Sequence, residues 1–574
     1  MSTHFLRQSL RKSHVLRVTM AFVVGLIVIQ DAQAVSFLET CKNPQGNPRS
    51  WMTLVALTSL VTGLQSCEEM DAALKARTEF RLSYPISDLS LLSEFTQLKK
   101  LDLQSFTATD LSPITALTQL EELNIDRDLS LRSIDYHDQN HSFPEIPNGF
   151  SGFEKLTQLR SLSARGNGVN RLEPLQNLYL LEKLDLTGNR LSTSSLEVLS
   201  KITYLRELNL SGNPIESLQG LNNLPFLSIL SVSDCRLESL DGLHQLRRLI
   251  SLDLSQNGIQ DITPLASLTR LVSLDLAENQ IEEITPLRNL QDLTHLYLEK
   301  NRIGNLTPLK ELSGLIKLAL SDNPIRDISP LRKLTHLRDL QMNRARLRDI
   351  EPLHTLKELR YLSLMENSIQ NIEALRSLIN LISLKLSRNI IQNLEPLTDF
   401  SQLELLKVDY NQISVLPEAS ENWQKLTLLD VGYNQLESAE VVSKLRRIRS
   451  LSLTANQIRN LPELTNLTEL NFLFVGDNRI EDFSGLLARI PLNWIEIKNN
   501  RLSNILPIQS LFRRMITHLN ISGNPIQDYQ PLIDATPEQS LITQLVMSSS
   551  GNLTTAQIEE LRRRFSYGSL TFVY

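Results

Sequence analysis

Aromatic residues make up only 5% of this chain, although 41% of its residues are hydrophobic. That balance is unusual for a compact core, and leucine carries the difference. Cysteine is scarcer still, at three in 574 residues, which leaves no paired cysteines of the zinc-binding kind. No apolar run reaches the ~20 residues that cross a bilayer. Nucleophile elbows, HExxH and glycine-rich phosphate loops are all missing. An excess of positive charge is missing too, since the formal net charge is −6. Nucleic-acid binding needs clustered Lys and Arg against phosphates, so that class of partner is set aside.

The N-terminus carries Arg7, Arg11, Lys12 and Arg17, then an apolar run from Val18 to Ile29, then Ala32-Gln33-Ala34. A basic start, a short apolar stretch and a small-residue cleavage site read as a secretory signal over residues 1–34. Its removal takes the formal charge to −9. The mature chain then holds no membrane-spanning segment, and its place is periplasmic, at the cell surface or secreted. In an oxidising compartment Cys41 and Cys67 are expected to pair, tying down the segment ahead of the repeats. Cys235 has no evident partner.

The dominant feature is repetition. LDLSQNGI at 252–259, LDLAENQI at 274–281, LYLEKNRI at 296–303 and LALSDNPI at 318–325 lie 22 residues apart. Aligned on the Asn, the series runs from Asn167 to Asn524, with Cys235 and Ala345 filling two of the slots. Two degenerate units centred on Phe106 and Asp128 precede it, giving nineteen. A chain of this length is therefore one repeat array.

Within each unit, LxLxxN alternates with the period of a half-buried strand, and stacking the units gives a parallel sheet. The Asn side chain can satisfy backbone groups of its own turn and of the adjacent one, forming a ladder. Cys235 in a ladder slot reads as a structural thiol. Ala345 offers no such bond, so its turn must be satisfied differently. Seven residues beyond the ladder comes proline, at Pro174, Pro264, Pro286, Pro308, Pro330, Pro352 and Pro396. Proline there suits the start of a tight helical turn.

The pattern LxxLxxLxLxxNxIxxIxPL resembles the 22-residue leucine-rich repeats of the internalin and SDS22-like class, over about residues 80–547. The resemblance implies an α/β repeat solenoid: a curved parallel β-sheet on the concave face, with short 3₁₀ or helical turns on the convex face. Internalins bind host-cell surface proteins through that sheet, and SDS22-like proteins bind a phosphatase. An LPxTG tail and Gly-Trp modules are not found, which sets internalin-style wall attachment apart.

Repeats cannot bury their own end faces, so caps are expected. Residues 35–79 supply a helical one, with a helix from Trp51 to Leu64 followed by CEEMDAALKA. Residues 548–574 supply the other, with a helix over Thr555–Phe565 and SLTFVY as a final strand. Arg562, Arg563 and Arg564 read as a solvated helix face. An insertion near 129–151 brings Asp135, His137, Asp138 and His141 together beside two prolines. We read it as an exposed loop, with no metal site.

Catalysis needs a convergent constellation. Here His295, His336, His354 and His518 are scattered along the array, so no enzyme and no cofactor are expected. Function should reside in the letters that change. Residues two, four and six before the ladder project from the sheet. From Tyr297 onward they become large: Tyr297, Lys385, Lys407 and Phe474 four before, Glu299, Met365 and Asp409 two before, Tyr361, Phe472 and Trp494 six before. Tyr410 and Tyr433 sit next to the ladder. Exposed aromatics on a rigid sheet form protein-binding hot spots, and we expect a protein partner here. The rival role for Phe472, Phe474 and Trp494 is cross-strand packing. The rival function is an envelope scaffold or a glycan-recognising surface protein.

Overall fold

A computed structural model describes residues 36–573, apart from 47–49, 105, 128–145, 147–148, 222, 419–421, 485–489, 514, 538–540, 549–552 and 566–567. The signal reading over 1–34 lies outside the described residues, as do Asp135, His137, Asp138 and His141. The chain divides into two compact units, Met1–Asn257 and Gly258–Tyr574.

One 22-residue turn explains the rest. In the turn carrying Asn301, Leu296 and Leu298 alternate inward on the strand and are fully buried. The chain then rises through Ile303 and Leu306 into a 3₁₀ segment, Thr307–Glu311, and returns through Leu309, Leu312 and Leu315, all buried. Pro308 opens that segment because its fixed torsion fits the first helical position, where no amide partner is needed. The Asn305 side chain accepts the Thr307 N–H at 2.9 Å, and Asp261 and Asp327 do the same for Thr263 and Ser329, each at 2.8 Å. This aspartate or asparagine, three residues before the proline, is a second repeated cap. Each buried leucine contributes about 1.5–3 kcal/mol.

Among the described residues the first unit has eight strands, from β1 (Glu79–Leu82) to β8 (Ser251–Asp253). All pair in parallel with their sequence neighbours. Ahead of them stand three helices, α1 (Phe37–Lys42), α2 (Trp51–Ser59) and α3 (Cys67–Lys75). A bond between Cys41 and Cys67 joins α1 to the first residue of α3. Phe37 is buried and meets Phe95 edge-on at 6.3 Å, and Phe95 meets Phe80 of β1 at 5.1 Å. The helix expected from Trp51 to Leu64 stops at Ser59. The chain then turns through Gly63 at φ 97°, a left-handed torsion that glycine adopts without strain. Ser66 and Glu69 form a capping box that starts the next helix.

The second unit has fourteen strands among the described residues, from β9 (Ser273–Asp275) to β22 (Ser569–Val573), again parallel throughout. Register is strict: Leu296, Leu318, Leu340, Leu362, Leu384 and Leu406 stand side by side. The last helix covers Thr555–Arg564, and Ser569–Val573 pairs with β21 (Ile542–Ser548) as one further turn of the sheet. Arg563 and Arg564 both bond Glu560 on that helix, and Arg564 also reaches back to the Ile533 carbonyl.

The ladder is real and double-ended. Asn301 Nδ2 donates to Leu298 and Glu299 of its own turn, at 3.1 and 3.2 Å, and to Leu276 of the turn before, at 2.9 Å. Its Oδ1 accepts the Ile281 N–H at 2.9 Å. Cys235 copies half of this, its Sγ donating to the Leu210 and Ser233 carbonyls at 3.3 Å each. At Ala345 the donors are gone. The Ile325 N–H, which an Asn there would accept, turns back to the Asn323 carbonyl.

Candidate functional site

The outward face of the second unit's sheet is set by the leucine alternation, since whatever stands between two buried leucines must face out. Tyr297, Lys385 and Lys407 all occupy this one face and are half-buried. Lys385 and Lys407 are register neighbours, followed by Asp430. Tyr297 has the Lys317 ammonium 5.3 Å from its ring centre, and Lys317 also lies 3.3 Å from Asp339. Tyr361, register-paired with Asp339 and Ser383, is 48% exposed. Met365 is half-buried, its backbone held by the Asn343 side chain at 2.8 Å.

Two carboxylates on this face are held against their preference for water. Burial pushes the Glu299 carboxyl above the usual range, and its Oε2 has no hydrogen-bond partner among the described residues. Burial, and then the neighbouring Asp409, do the same to Asp430. Asp409 itself accepts the Ser387 hydroxyl.

Phe472 is 38% exposed and Phe474 half-buried. Phe472 and Trp494 are register neighbours. The Trp494 ring stacks on His518, with centres 4.1 Å apart, and its indole N–H donates to Glu496 at 3.2 Å. His518 is nearly buried and is joined to Gln544 at 2.9 Å.

Tyr410 and Tyr433 stand apart from these ten. They occupy the position immediately before the ladder Asn, where the chain leaves the strand in the left-handed region, at φ 53° for each. Within the second unit non-glycine residues fill that slot from Glu278 to Asn499, at a cost of ~1 kcal/mol each. Successive turns align these residues along a rim. Lys300 pairs with Glu278 at 2.9 Å, and Arg344 pairs with Asp322 at 2.5 Å and Glu366 at 3.2 Å. Further along, Tyr410 and Tyr433 stack at 4.0 Å with planes 7° apart, and the Arg388 guanidinium lies 4.2 Å from the centre of the Tyr410 ring. The strand face and the rim are thus two adjoining surfaces. Sequence reasoning missed Lys317, Arg388, Asp430 and His518 as contributors. Each sits in the turn next to that of a residue that was singled out, and that adjacency was the available signal.

Among the described residues no cluster of three or more His, Cys, Asp or Glu is placed to hold a metal ion. None of the described helices is long and apolar enough to cross a membrane.

Sequence signatures described as Leucine Rich repeats (2 copies) match residues 247–289 and 269–311, and a related Leucine Rich repeat signature matches 201–217 and 514–528. No curated protein matches by sequence. Among solved structures, an internalin (InlF) from Listeria monocytogenes is 32% identical, covers 54% of this chain and 89% of its own, and superposes with a TM-score of 0.50. A leucine-rich-repeat protein from Leptospira interrogans is 22% identical over 70% of this chain and 98% of its own, with a TM-score of 0.58. The ectodomain of the Arabidopsis thaliana receptor kinase GASSHO1/SCHENGEN3, solved with CASPARIAN STRIP INTEGRITY FACTOR 2, is 20% identical. It covers 77% of this chain and 59% of its own, at a TM-score of 0.53. With the signatures, the 22-residue period and the internalin likeness in agreement, the chain belongs to the leucine-rich-repeat family, in its internalin-like class.

Proposed function

We propose that the second unit captures a protein partner on its outward strand face, between Tyr297 and Trp494, and does no chemistry of its own. The observation that carries this reading is a set of outward side chains placed at a cost to stability. Tyr361 and Phe472 hold large apolar surface in water, and Glu299 and Asp430 are kept half-buried against their hydration. Residues that cost stability are expected where a surface is kept for binding. From the strand of Tyr297 to that of Tyr433's turn, six spacings of ~4.8 Å make a length of ~30 Å, the scale of a standard protein interface. The Arabidopsis ectodomain supports the use of this fold for binding, since it was solved in complex with CASPARIAN STRIP INTEGRITY FACTOR 2. The Cys41–Cys67 bond supports action in an oxidising compartment outside the cytosol.

The test is to replace Tyr297, Tyr361, Lys385, Lys407 and Tyr410 together by Ala and compare capture from the native surroundings. Wild type should retain one partner in stoichiometric amount, and the variant should lose it at an unchanged melting temperature. Undiminished capture by the variant would show that another surface binds. A diffuse or carbohydrate-dependent set would favour the scaffold or glycan reading instead.

A further inference from the structure

Ala345 marks a defect in the ladder, and the defect coincides with a cluster of arginines. In regular turns the residue after the ladder Asn closes on the previous turn through its backbone: Arg302 N–H reaches Ile281 at 2.8 Å, and Ser368 N–H reaches Leu347 at 2.9 Å. Arg346 holds the equivalent place with φ at 57° and makes no such bond among the described residues. Arg344, on the other side of Ala345, is also left-handed at φ 52°. Beside this turn opens a cleft of about 650 Å³ lined by Arg326, Arg344, Arg346 and Arg348.

The charges there do not balance. Arg344 is occupied by Asp322 and Glu366. Arg326, Arg346 and Arg348 are exposed and make no ion pair among the described residues. The remaining carboxylate on the lining, Asp349, accepts the Glu351 N–H at 2.8 Å as the cap of its own turn. Arg326 and Arg348 fill the same position of successive turns, so their stems repeat at the strand spacing of ~4.8 Å. Guanidiniums present planar pairs of donors that match the edge of a tetrahedral oxyanion. The volume lies in the range of small-ligand sites.

We propose that this cleft is an oxyanion-binding site, taking a compact ligand that carries two or more phosphate or sulfate groups. It is separate from the strand face and does not depend on the role given to that face. Inorganic pyrophosphate and a fully sulfated disaccharide are the two probes, titrated calorimetrically into the full chain at fixed ionic strength. Binding of both would assign the oxyanion itself, and binding of the disaccharide alone would assign a glycan ester. In either case Arg326→Gln, Arg346→Gln and Arg348→Gln should each weaken it, by about tenfold per guanidinium removed. Arg346→Gly separates charge from fold, because glycine adopts the left-handed torsion freely: the melting temperature should hold while affinity falls. Arg376→Gln, on a residue paired with Glu373 at 3.1 Å outside the cleft, should change nothing. Failure of both probes to bind, or equal affinity in the triple Gln variant, would overturn the proposal.

Discussion

The backbone N–H of Ile325 bonds to the carbonyl of Asn323, two residues earlier, at 2.8 Å. In ordinary turns the same amide reaches forward to the next ladder Asn, as Ile303 does to Asn323 at 2.9 Å. Two other amides turn back: Ile215 to Asn213 at 2.7 Å and Ile526 to Asn524 at 2.9 Å. All three lie in Asn-Pro-Ile, and Asn213 and Asn323 each precede a turn without a ladder Asn, at Cys235 and Ala345. Proline fixes the torsion that suits this short three-residue turn, and it has no amide of its own left to satisfy.

The two positions should therefore be coupled. Ala345→Asn alone places a carboxamide opposite an amide already engaged, and should gain little. Combined with Pro324→Gln, which restores the ordinary turn, it should recover a full rung. A double-mutant cycle by urea unfolding should give a favourable coupling of about 1 kcal/mol. Strict additivity would sink the account.

Intact rungs should be worth far more than the defect. Asn301→Ala removes three donated bonds and strands the buried Ile281 amide, so it should cost about 2–4 kcal/mol. A loss below that of an exposed substitution such as Gln392→Ala would show that the ladder is ornamental to stability.

Cys235 should be chemically silent. Burial pushes its thiol from 9.0 up to about 12, so iodoacetamide at pH 8 should label it only after unfolding. The folded thiol keeps a proton that the unfolded chain gives up. Its contribution to stability is whole below about pH 9 and is lost as pH rises towards about 12. Subtracting the alkaline unfolding curve of Cys235→Ala from that of wild type should reveal this fall.

Asp430 gives the acid counterpart. Its carboxyl is raised, so the folded state favours the protonated form: the contribution is full below the ordinary carboxylate value and lost as pH rises through the raised one. Asp430→Asn should raise the melting temperature at pH 7, and the gain should shrink as pH falls through the raised value, to vanish below the ordinary one of about 4. A gain that persisted in acid would mean burial was not the cause.

The bond between Cys41 and Cys67 closes a span of 26 residues, for which loop entropy suggests about 3.5 kcal/mol. Its removal by Cys41→Ser and Cys67→Ser should speed hydrogen exchange in Trp51–Ser59 and Cys67–Lys75. Exchange in the strands from Tyr297 onward should be untouched.

Much of this was legible because a period of 22 is a strong constraint. The alternation of Leu296, Tyr297 and Leu298 fixes which face each side chain occupies, and Pro308 marks the outer turn. The helix end at Ser59 was not legible, because Gly63 alone did not distinguish a break from a tolerated glycine. Nor was the pairing of Trp494 with His518 or of Arg388 with Tyr410. Those contacts link neighbouring turns, and a linear reading shows which residues are adjacent without showing which of several neighbours a long side chain chooses. The meaning of Asn-Pro-Ile was available in the letters and was missed, since it concerns the following repeat and not its own.

That motif limits how such a chain can change its length. Loss or duplication of a 22-residue block by unequal recombination joins like chemistry to like wherever both neighbours carry Asn. Residues 323 and 345 break the rule: a deletion that took one turn and spared the other would leave a backward-facing amide beside an intact carboxamide, or an alanine with nothing arranged to meet it. The two turns should be gained and lost as a pair, so related chains are expected to differ in copy number on either side of this doublet and to keep the doublet whole.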